Sequence, residues 1–298
     1  LKMSKNKKYQ IAGIGELLWD IFLDDKKLGG APANFVAHAQ ELGAKSYLLS
    51  ALGKDELGQR AIEELKCLNI DTSWVQLSSI YPTGRVIVSL DSKGNPNYNI
   101  KDNSAWDQIE FDITQAKIAS RLDAICFGTL AQRNPVSQNT ILKILNATSD
   151  TCLRIFDVNF RQDYYDSKMV FQSLVLANAV KMNEDEFLEI GKILSFSKNL
   201  KRGLQSLINE FDLKFGIITL GENGAVMASQ DDFCSYSPKS KIEIKSSVGA
   251  GDAFTAAAVM GWLEQKPLEQ IIQKASDLAT FVCSHLEAVP TKQKTETR

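Results

Sequence analysis

The run of small residues before an alanine-rich segment is the part of the chain best suited to chemistry: Ser246-Ser247-Val248-Gly249-Ala250-Gly251-Asp252-Ala253-Phe254. Small side chains leave the amides of Gly249, Ala250 and Gly251 uncovered at the start of a predicted helix, where unpaired N–H groups and the helix dipole favour an anion. The Asp252 carboxylate beside them would either cap the helix or accept a proton from an attacking hydroxyl. An anion cradle next to a base is the arrangement that phosphoryl transfer needs.

A second glycine-containing segment, Gly29-Gly30-Ala31-Pro32-Ala33-Asn34, leads into another predicted helix. Gly29 and Gly30 would let a ligand approach bare backbone, and the side chains of Asp20 and Asn34 can hydrogen-bond hydroxyl groups. A turn into the helix with a capping Asn explains the same residues as well. The segment is therefore a candidate polyol site with an ordinary structural alternative.

Three further patterns fit either a ligand or local structure. Arg161 ends a predicted strand with a fork of donors for a phosphate, a carboxylate or two hydroxyls, although a surface ion pair is equally common for a lone Arg. The spacing Asn183-x-x-Glu186 puts both side chains on one face of a helical turn, and a capping box explains it too. Residues 219–225 read as a strand entering a glycine-rich turn, which either accepts phosphate or ribose or closes a simple hairpin.

The charge balance and the cysteines exclude several classes of function. Lys and Arg number 34 against 36 Asp and Glu, with a net charge of −2, so no basic face is expected for nucleic acid or anionic lipid. Five dispersed cysteines without a CxxC pair indicate neither a disulfide framework nor a zinc site. The two histidines, His38 and His285, have no partner that suggests a ligand role, so we expect both to be structural.

Other sequence features bear on the class of nucleotide-binding fold and on the location of the protein in the cell. There is no GxxxxGK[ST] loop, and Gly13-x-Gly15 lacks the third glycine of a dinucleotide fingerprint. The basic N-terminal segment resembles the start of a signal peptide, but Glu16 and Asp20 interrupt the apolar stretch behind it. The longest apolar run, residues 253–263, is too short to span a bilayer. We therefore expect a cytoplasmic protein with no membrane or nucleic-acid partner.

The candidate residues must be positioned by alternating strands and helices. Short β-rich runs at 9–15, 45–49, 122–127, 153–158, 179–182 and 215–219 predict buried strands. Helical periods are predicted at 32–42, with Gly43 as a left-handed C-cap, and at 55–68, 139–146, 169–176, 184–190, 200–210, 251–264 and 267–285. This α/β repetition predicts a mainly parallel central sheet with helices on both faces, in one domain over residues 1–298.

One stretch interrupts this alternation. Residues 83–100 form two alternating runs around the turn-forming Lys93-Gly94-Asn95-Pro96, which predicts a β-hairpin. Together with residues 17–28 it would form a small inserted sheet, a lid at about 17–28 and 83–108. An edge hairpin of the main sheet is the alternative. Trp19, Tyr98 or Trp106 from the lid would give a sugar its nonpolar cover.

The motifs occur in a familiar order. Gly249-Ala250-Gly251-Asp252 before a helix resembles the C-terminal signature of the ribokinase-like (PfkB) carbohydrate kinases, and residues 29–34 followed by Leu42-Gly43 resemble the N-terminal signature. Gly15-Glu16-Leu17-Leu18-Trp19-Asp20 resembles the opening strand of the fructokinase-like branch. Further matches cover nearly the whole chain in order: Thr83-Gly84, residues 157–161, residues 183–186, residues 219–225 and residues 279–284.

The resemblance implies a ribokinase-like fold and an ATP- and Mg²⁺-dependent kinase that phosphorylates a primary hydroxyl of a monosaccharide, most closely fructose. Ribose, a nucleoside or a 2-keto-3-deoxygluconate-type acid are alternative substrates, and a non-catalytic sugar-binding regulator is an alternative of another class. By resemblance the catalytic group is Asp252 with the amides of Gly249, Ala250 and Gly251. The implied sugar-binding residues are Asp20, Gly29, Gly30, Asn34 and Arg161.

The resemblance also assigns a nucleotide side and a metal contact. ATP would contact Asn183, Thr219, Gly221, Gly224, Ala279 and Cys283, and Glu186 would order Mg²⁺ through water. Ala279 belongs to a helical stripe that is otherwise expected to be core, and whose edge could also form the adenine wall.

Two departures from the family concern a monovalent cation. The family commonly has Asp-Thr before its Gly-Ala-Gly-Asp and a Gly-Ala pair after its last helix, whereas this chain has Ser246-Ser247 and Glu287-Ala288. Many relatives hold such a cation there, so we expect its binding to be weak or absent in this chain. The sequence leaves open whether two chains meet through their lids as a homodimer.

Overall fold

The computed structural model describes residues 8–90, 96–238 and 242–290. The basic N-terminal segment and the predicted turn at Lys93-Gly94-Asn95 lie outside these residues. The largest element within them is a nine-stranded sheet. Its strands, in spatial order, are β13 (Phe233–Tyr236), β12 (Ala225–Ser229), β11 (Phe215–Thr219), β10 (Ala179–Asn183), β9 (Leu153–Asp157), β8 (Ala124–Phe127), β1 (Gln10–Ile14), β4 (Lys45–Gly53) and β5 (Val75–Ser78).

The central sheet is parallel from β5 to β11, and its only antiparallel pairs among the described residues are β11–β12 and β12–β13. Its inner strands are almost continuous apolar runs, such as Ala-Ile-Cys-Phe in β8, because they are buried on both faces. The predicted α/β architecture with a mainly parallel sheet is confirmed. A parallel sheet collects the carboxyl ends of its strands along one edge, where ligands of such folds bind.

Helices cover both faces of this sheet, which separates the two large clusters of the core. One, α8, is apolar nearly all around and rich in alanine, so it lies buried between α1 and α9. A methyl group at Gly261 of α8 would lie 2.9 Å from Ile271 of α9, which shows how closely the two helices approach. The helices are α1 (Ala31–Glu41), α2 (Glu56–Cys67), α3 (Ile113–Ala119), α4 (Pro135–Asn146), α5 (Ser167–Leu176), α6 (Glu184–Leu194), α7 (Leu200–Glu210), α8 (Ala250–Leu263) and α9 (Leu268–Cys283).

The predicted inserted sheet is also present. Its four strands, in spatial order, are β3 (Lys26–Gly29), β2 (Leu18–Ile21), β6 (Gly84–Leu90) and β7 (Pro96–Ile100). The predicted hairpin forms the antiparallel pair β6–β7, while β2 pairs with β6 in parallel and with β3 antiparallel. Because β2 follows β1 and β3 leads directly into α1, this sheet joins the main one at the carboxyl edge.

Three strands and one α-helix of the structure were not predicted from the sequence. The strands β5, β12 and β13 are short, and β12 is a run of small apolar residues without alternation. The helix α3 spans too few residues to show helical periodicity. Gly43 has φ 97°, as the predicted C-cap requires. Among the described residues, no helix is both long and apolar enough to cross a bilayer.

Candidate active site

The predicted catalytic residue lies partly buried at the carboxyl edge, between two helices. Asp252 occupies the first turn of α8, and its Oδ2 accepts a 2.8 Å hydrogen bond from Nδ2 of Asn34 in the first turn of α1. Burial raises the pKa of Asp252 to about 6, and the nearby Asp157 carboxylate adds to the rise. The Asn34 hydrogen bond and the charges of Lys181 and Arg161 act in the opposite direction. The carboxyl group is thus a base whose pKa lies near physiological pH.

The amides before Asp252 lie at the start of α8, where the anion cradle was expected, but the amide of Ala250 donates to the Ser247 carbonyl at 3.3 Å. Gly249 is the N-cap of α8 with φ 81°, a left-handed conformation that favours glycine, and no side chain caps the helix. The amides of Gly251 and Asp252 belong to the first turn, where an α-helix offers no backbone acceptor. A methyl group at Gly251 would lie 3.0 Å from Nζ of Lys181. The cradle therefore has a lysine ammonium at its wall.

Lys181 is a functional candidate that the sequence analysis missed. Its Nζ lies 3.1 Å from Oδ1 of Asp157, whose Oδ2 accepts a 2.8 Å hydrogen bond from the hydroxyl of Thr255. Burial opposes the charge of Lys181, but the carboxylates of Asp157, Glu186 and Asp252 outweigh it and raise the lysine pKa. The signal available in the sequence was a lysine inside the otherwise apolar strand β10.

The expected sugar-binding residues surround the start of α1. A methyl group at Gly29 would lie 2.9 Å from Oδ2 of Asp20, so this glycine lets the carboxylate approach the backbone. Gly30, with φ 114°, packs against the backbone of Glu16. Burial raises the pKa of Asp20 to about 6, whereas the charges of Arg161 and Lys27 lower it. The structure thus brings Asp20, Gly29 and Gly30 together as predicted.

Glu16 is a second residue that the sequence analysis did not single out. Its Oε1 accepts a 3.2 Å hydrogen bond from the amide of Ala31, the first residue of α1. Burial raises the pKa of this carboxyl to about 7. In the sequence, the one feature that pointed to Glu16 was its place in the segment 15–20, which resembles the opening strand of the fructokinase-like branch. Glu16 therefore holds the start of the helix that carries Asn34.

Arg161 faces this group of carboxyls. Its positive charge lowers the pKa of Glu16, of Asp20 and of Asp252, although the side chain itself is exposed. Its Nη1 donates to the carbonyl of Phe160 at 3.1 Å. Within the part of the chain that the structure describes, no carboxylate forms an ion pair with it. The guanidinium is thus a cation that remains available to a ligand.

Asn183 and Glu186 form the capping box at the start of α6. The Asn183 Oδ1 accepts from the amide of Glu186 at 2.8 Å, and the Glu186 Oε2 accepts from the amide of Asn183 at 2.7 Å. The other carboxylate oxygen of Glu186 accepts from the amide of Phe160 at 3.0 Å. The structural interpretation of this motif is therefore confirmed. Among the described residues, no group of three or more His, Cys, Asp or Glu residues could hold a metal ion.

The expected nucleotide-side residues lie around two neighbouring segments. Thr219 is opposite Asn183 in the β10–β11 register, and the turn that follows contains Gly221 (φ 58°) and Gly224 (φ 99°). This turn closes the β11–β12 hairpin. Ala279 lies on α9, which packs on β12 and β13. The Cys283 carbonyl accepts from the amides of Lys245 and Ser246, so the end of α9 adjoins the segment that leads to the cradle.

The expectation that Trp19, Tyr98 or Trp106 covers the sugar is wrong for the two tryptophans. Trp19 and Trp106 are completely buried, and the indole of Trp19 donates to the carbonyl of Leu57 at 3.0 Å. These rings fill the core at the base of the inserted sheet because large aromatic side chains bury the most apolar surface there. Tyr98 is 43% exposed and is the one of the three that a ligand could meet.

Comparisons with known proteins agree with this geometry. The family of pfkB carbohydrate kinases matches residues 24–295. An uncharacterized sugar kinase of Pyrococcus horikoshii is 30% identical over 277 residues, which cover 87% of this chain and 84% of that protein. A fructokinase of Salmonella typhimurium is 27% identical over 279 residues, which cover 88% of each chain.

Solved structures show the same fold. The crystal structure of the Pyrococcus sugar kinase in complex with ATP matches with a TM-score of 0.81 and 28% identity, over 95% of this chain and 96% of that chain. The structure of a fructokinase from Xylella fastidiosa with bound ATP has a TM-score of 0.84 at 17% identity, over 95% and 94% of the two chains. The second match supports the fold.

The Lys181–Asp157 pair gives a prediction about stability. Lys181→Met removes the ammonium and leaves the buried Asp157 carboxylate without its partner, so the free energy of unfolding should fall by about 3–5 kcal/mol. The double variant Lys181→Met/Asp157→Asn removes both charges and should recover most of that loss. Urea unfolding of the three proteins measures it. A single variant as stable as the parent would show that the pair does not hold this edge together.

Proposed function

The chain belongs to the pfkB family of carbohydrate kinases, and we propose that it transfers the γ-phosphoryl group of ATP to a primary hydroxyl of a monosaccharide, with fructose as the first candidate. The observation that supports this best is the position of Asp252, a partly buried base beside the first-turn amides of α8. A base and an anion cradle at one helix terminus are the two parts that such a transfer requires.

The proton step depends on the environment of Asp252. At neutral pH a carboxyl with a pKa of about 6 is mostly ionised, yet it is more basic than an exposed aspartate. Its Oδ2 is held by Asn34, which leaves Oδ1 to accept the proton of the sugar hydroxyl. The hydroxyl oxygen then attacks the γ-phosphorus in line with the leaving ADP oxygen, and the proton remains on Asp252.

The charge of the moving phosphoryl group is met by the cradle. The amides of Gly249 and Gly251 are proposed to meet this charge at the start of α8, where the helix dipole favours an anion, while the amide of Ala250 donates to the Ser247 carbonyl. The Lys181 ammonium against Gly251 adds a full positive charge beside them. These donors are fixed before the substrates arrive, so little reorganisation accompanies the transfer.

A hydrated magnesium ion fits the residues around Glu186. The ion prefers oxygen ligands and keeps several of its waters, and each Glu186 oxygen accepts one backbone hydrogen bond while retaining a second lone pair. Glu186 and Asn183 would hold those waters. When bound, the ion neutralises phosphate charge. Thr219, Gly221, Gly224, Ala279 and Cys283 are proposed to contact ATP on this side.

Fructose is proposed because the sugar side carries neutral-polyol chemistry. Asp20 and Asn34 accept and donate hydrogen bonds, and Gly29 lets the Asp20 carboxylate lie against the backbone at the start of α1. The similarity to a bacterial fructokinase supports the same substrate. The inserted sheet next to these residues is proposed to close as a lid and exclude water that would hydrolyse ATP.

Arg161 favours a second candidate, a 2-keto-3-deoxy sugar acid. Its guanidinium faces the sugar-side carboxyls without an ion-pair partner in the described ranges, and it could pair with a substrate carboxylate at the far end from the phosphorylated hydroxyl. Either substrate would use Asp252 and the cradle in the same way, so the two candidates differ only in what binds the distal end.

Replacing the base gives the main test of the proposed function. Asp252→Asn keeps the size of the side chain but accepts no proton, so kcat should fall by about 10²–10⁴. Fold and sugar binding should be unchanged, because an amide can still hydrogen-bond Asn34. Steady-state kinetics with an ADP-release readout, together with sugar binding by calorimetry, measure both. A folded Asp252→Asn protein with near-normal turnover would remove this residue from the base role.

Kinetic measurements on a panel of sugars identify the substrate. Ratios of kcat/KM for fructose, ribose and 2-keto-3-deoxygluconate compare transition-state affinities directly, and we expect fructose to lead. Arg161→Ala should leave the fructose value within about threefold, since an exposed charge contributes little to a neutral substrate. A large preference for the acid that disappears in Arg161→Ala would overturn fructose and retain the sugar-kinase proposal.

A further inference from the structure

The histidine that the sequence analysis treated as structural joins two halves of the site. His38 lies on α1 four residues after Asn34, so both side chains project from the same face of the helix. Its Nε2 lies 2.9 Å from the carbonyl oxygen of Ala288, and the residue is 3% exposed. Because a carbonyl oxygen only accepts, Nε2 carries the hydrogen. Burial lowers the pKa of His38, so the ring donates this bond in its neutral form.

Ala288 in turn supports the anion cradle. It belongs to a segment without regular secondary structure, residues 284–290, which we call the terminal loop. A methyl group at Gly249 would lie 2.5 Å from the Ala288 carbonyl oxygen and 2.8 Å from its Cα. The terminal loop therefore packs directly on the N-cap of α8, whose left-handed conformation sets where the cradle amides point.

Ser284 and His285 bond back to the last turn of α9, and two further hydrogen bonds hold the described residues 286–290 of the terminal loop. The Lys27 Nζ, from strand β3 of the inserted sheet, donates to the carbonyl of Leu286 at 3.1 Å, but this contact is exposed. The His38–Ala288 bond is the more buried of the two. Both donors come from the sugar side of the molecule, while the loop they hold lies against the phosphate side.

We propose that His38 is a positioning residue that fixes the terminal loop against Gly249 and thereby orients the cradle amides toward the γ-phosphate. The inference rests on the proposed kinase function. One helix face then aligns both reacting partners, since Asn34 orients the base and His38 orients the cradle. A displacement of about 1 Å in such a cradle costs on the order of 10²-fold in rate. The pair couples the sugar-binding helix to the nucleotide side.

Two replacements of His38 separate this role from simple core filling. His38→Leu keeps a buried side chain of similar size without the donor, and His38→Gln keeps an N–H donor at the ε position. A matched control is Val36→Ala on the same helix, whose side chain packs on Gly13 of β1 and not on the terminal loop. All three changes should lower Tm.

The kcat and KM values of these three variants test the proposal. His38→Leu should lower kcat by about 10- to 100-fold and raise the KM for ATP, with the KM for the sugar within about twofold. His38→Gln should retain kcat within about threefold, and Val36→Ala should leave kcat and both KM values near those of the parent. An unchanged kcat and ATP KM in His38→Leu, or the same losses in Val36→Ala, would overturn the proposal.

A binding measurement keeps this result apart from the proposed function. A non-hydrolysable ATP analogue titrated by calorimetry without sugar should bind His38→Leu at least about tenfold more weakly than the parent, while Asp252→Asn binds it normally. If the parent phosphorylated no sugar yet showed this difference, the kinase proposal would fail and the His38 link would stand. Equal analogue affinity in the parent and His38→Leu would contradict the link whatever the substrate.

Discussion

The hydrogen bond from Asn34 to Asp252 is the interaction on which the rest of the site depends, because it fixes a partly buried carboxylate between the first turns of two helices. To reach that position, α8 must pass through the core, and its alanine-rich sequence allows this by letting α1 and α9 pack closely on either side. The parallel sheet then presents Asp157 and Lys181 at the same edge. Sugar-side and phosphate-side groups thus meet at Asp252.

Removing that carboxylate from most of its contact with water has a consequence for stability. The pKa of Asp252 rises from an ordinary value of 3.8 to about 6, so the folded state binds the proton more tightly than the unfolded chain does. The associated stabilisation is complete below pH 3.8 and is lost as pH rises through 6. At neutral pH the ionised base therefore opposes folding, and the well-packed cores on both sides of the sheet offset this effect. The raised pKa thus makes Asp252 a stronger base and makes the folded state less stable at neutral pH.

Strong local patterns made most of the fold and part of the site predictable. Apolar periodicity predicts eight of the nine helices that the structure describes and every strand of the parallel part of the main sheet except β5, and the small residues from Gly249 to Gly251 before a helix predict the cradle. The roles of Lys181 and Glu16 were not predicted, because they depend on contacts with residues distant in the sequence. The same holds for His38, whose acceptor lies 250 residues away. Trp19 and Trp106 were expected at a ligand, but tertiary packing buries them entirely.

The central claim is that a partly buried Asp252 with a raised pKa acts as the base. The most direct test is the pH dependence of kcat/KM, which reports groups of the free enzyme. The account predicts that activity falls tenfold per pH unit below a pKa of about 6, that Asp20→Asn retains this limb, and that the residual activity of Asp252→Asn lacks it. A limb that persists unchanged in Asp252→Asn, or activity that stays constant from pH 8 to pH 4.5, would contradict the account.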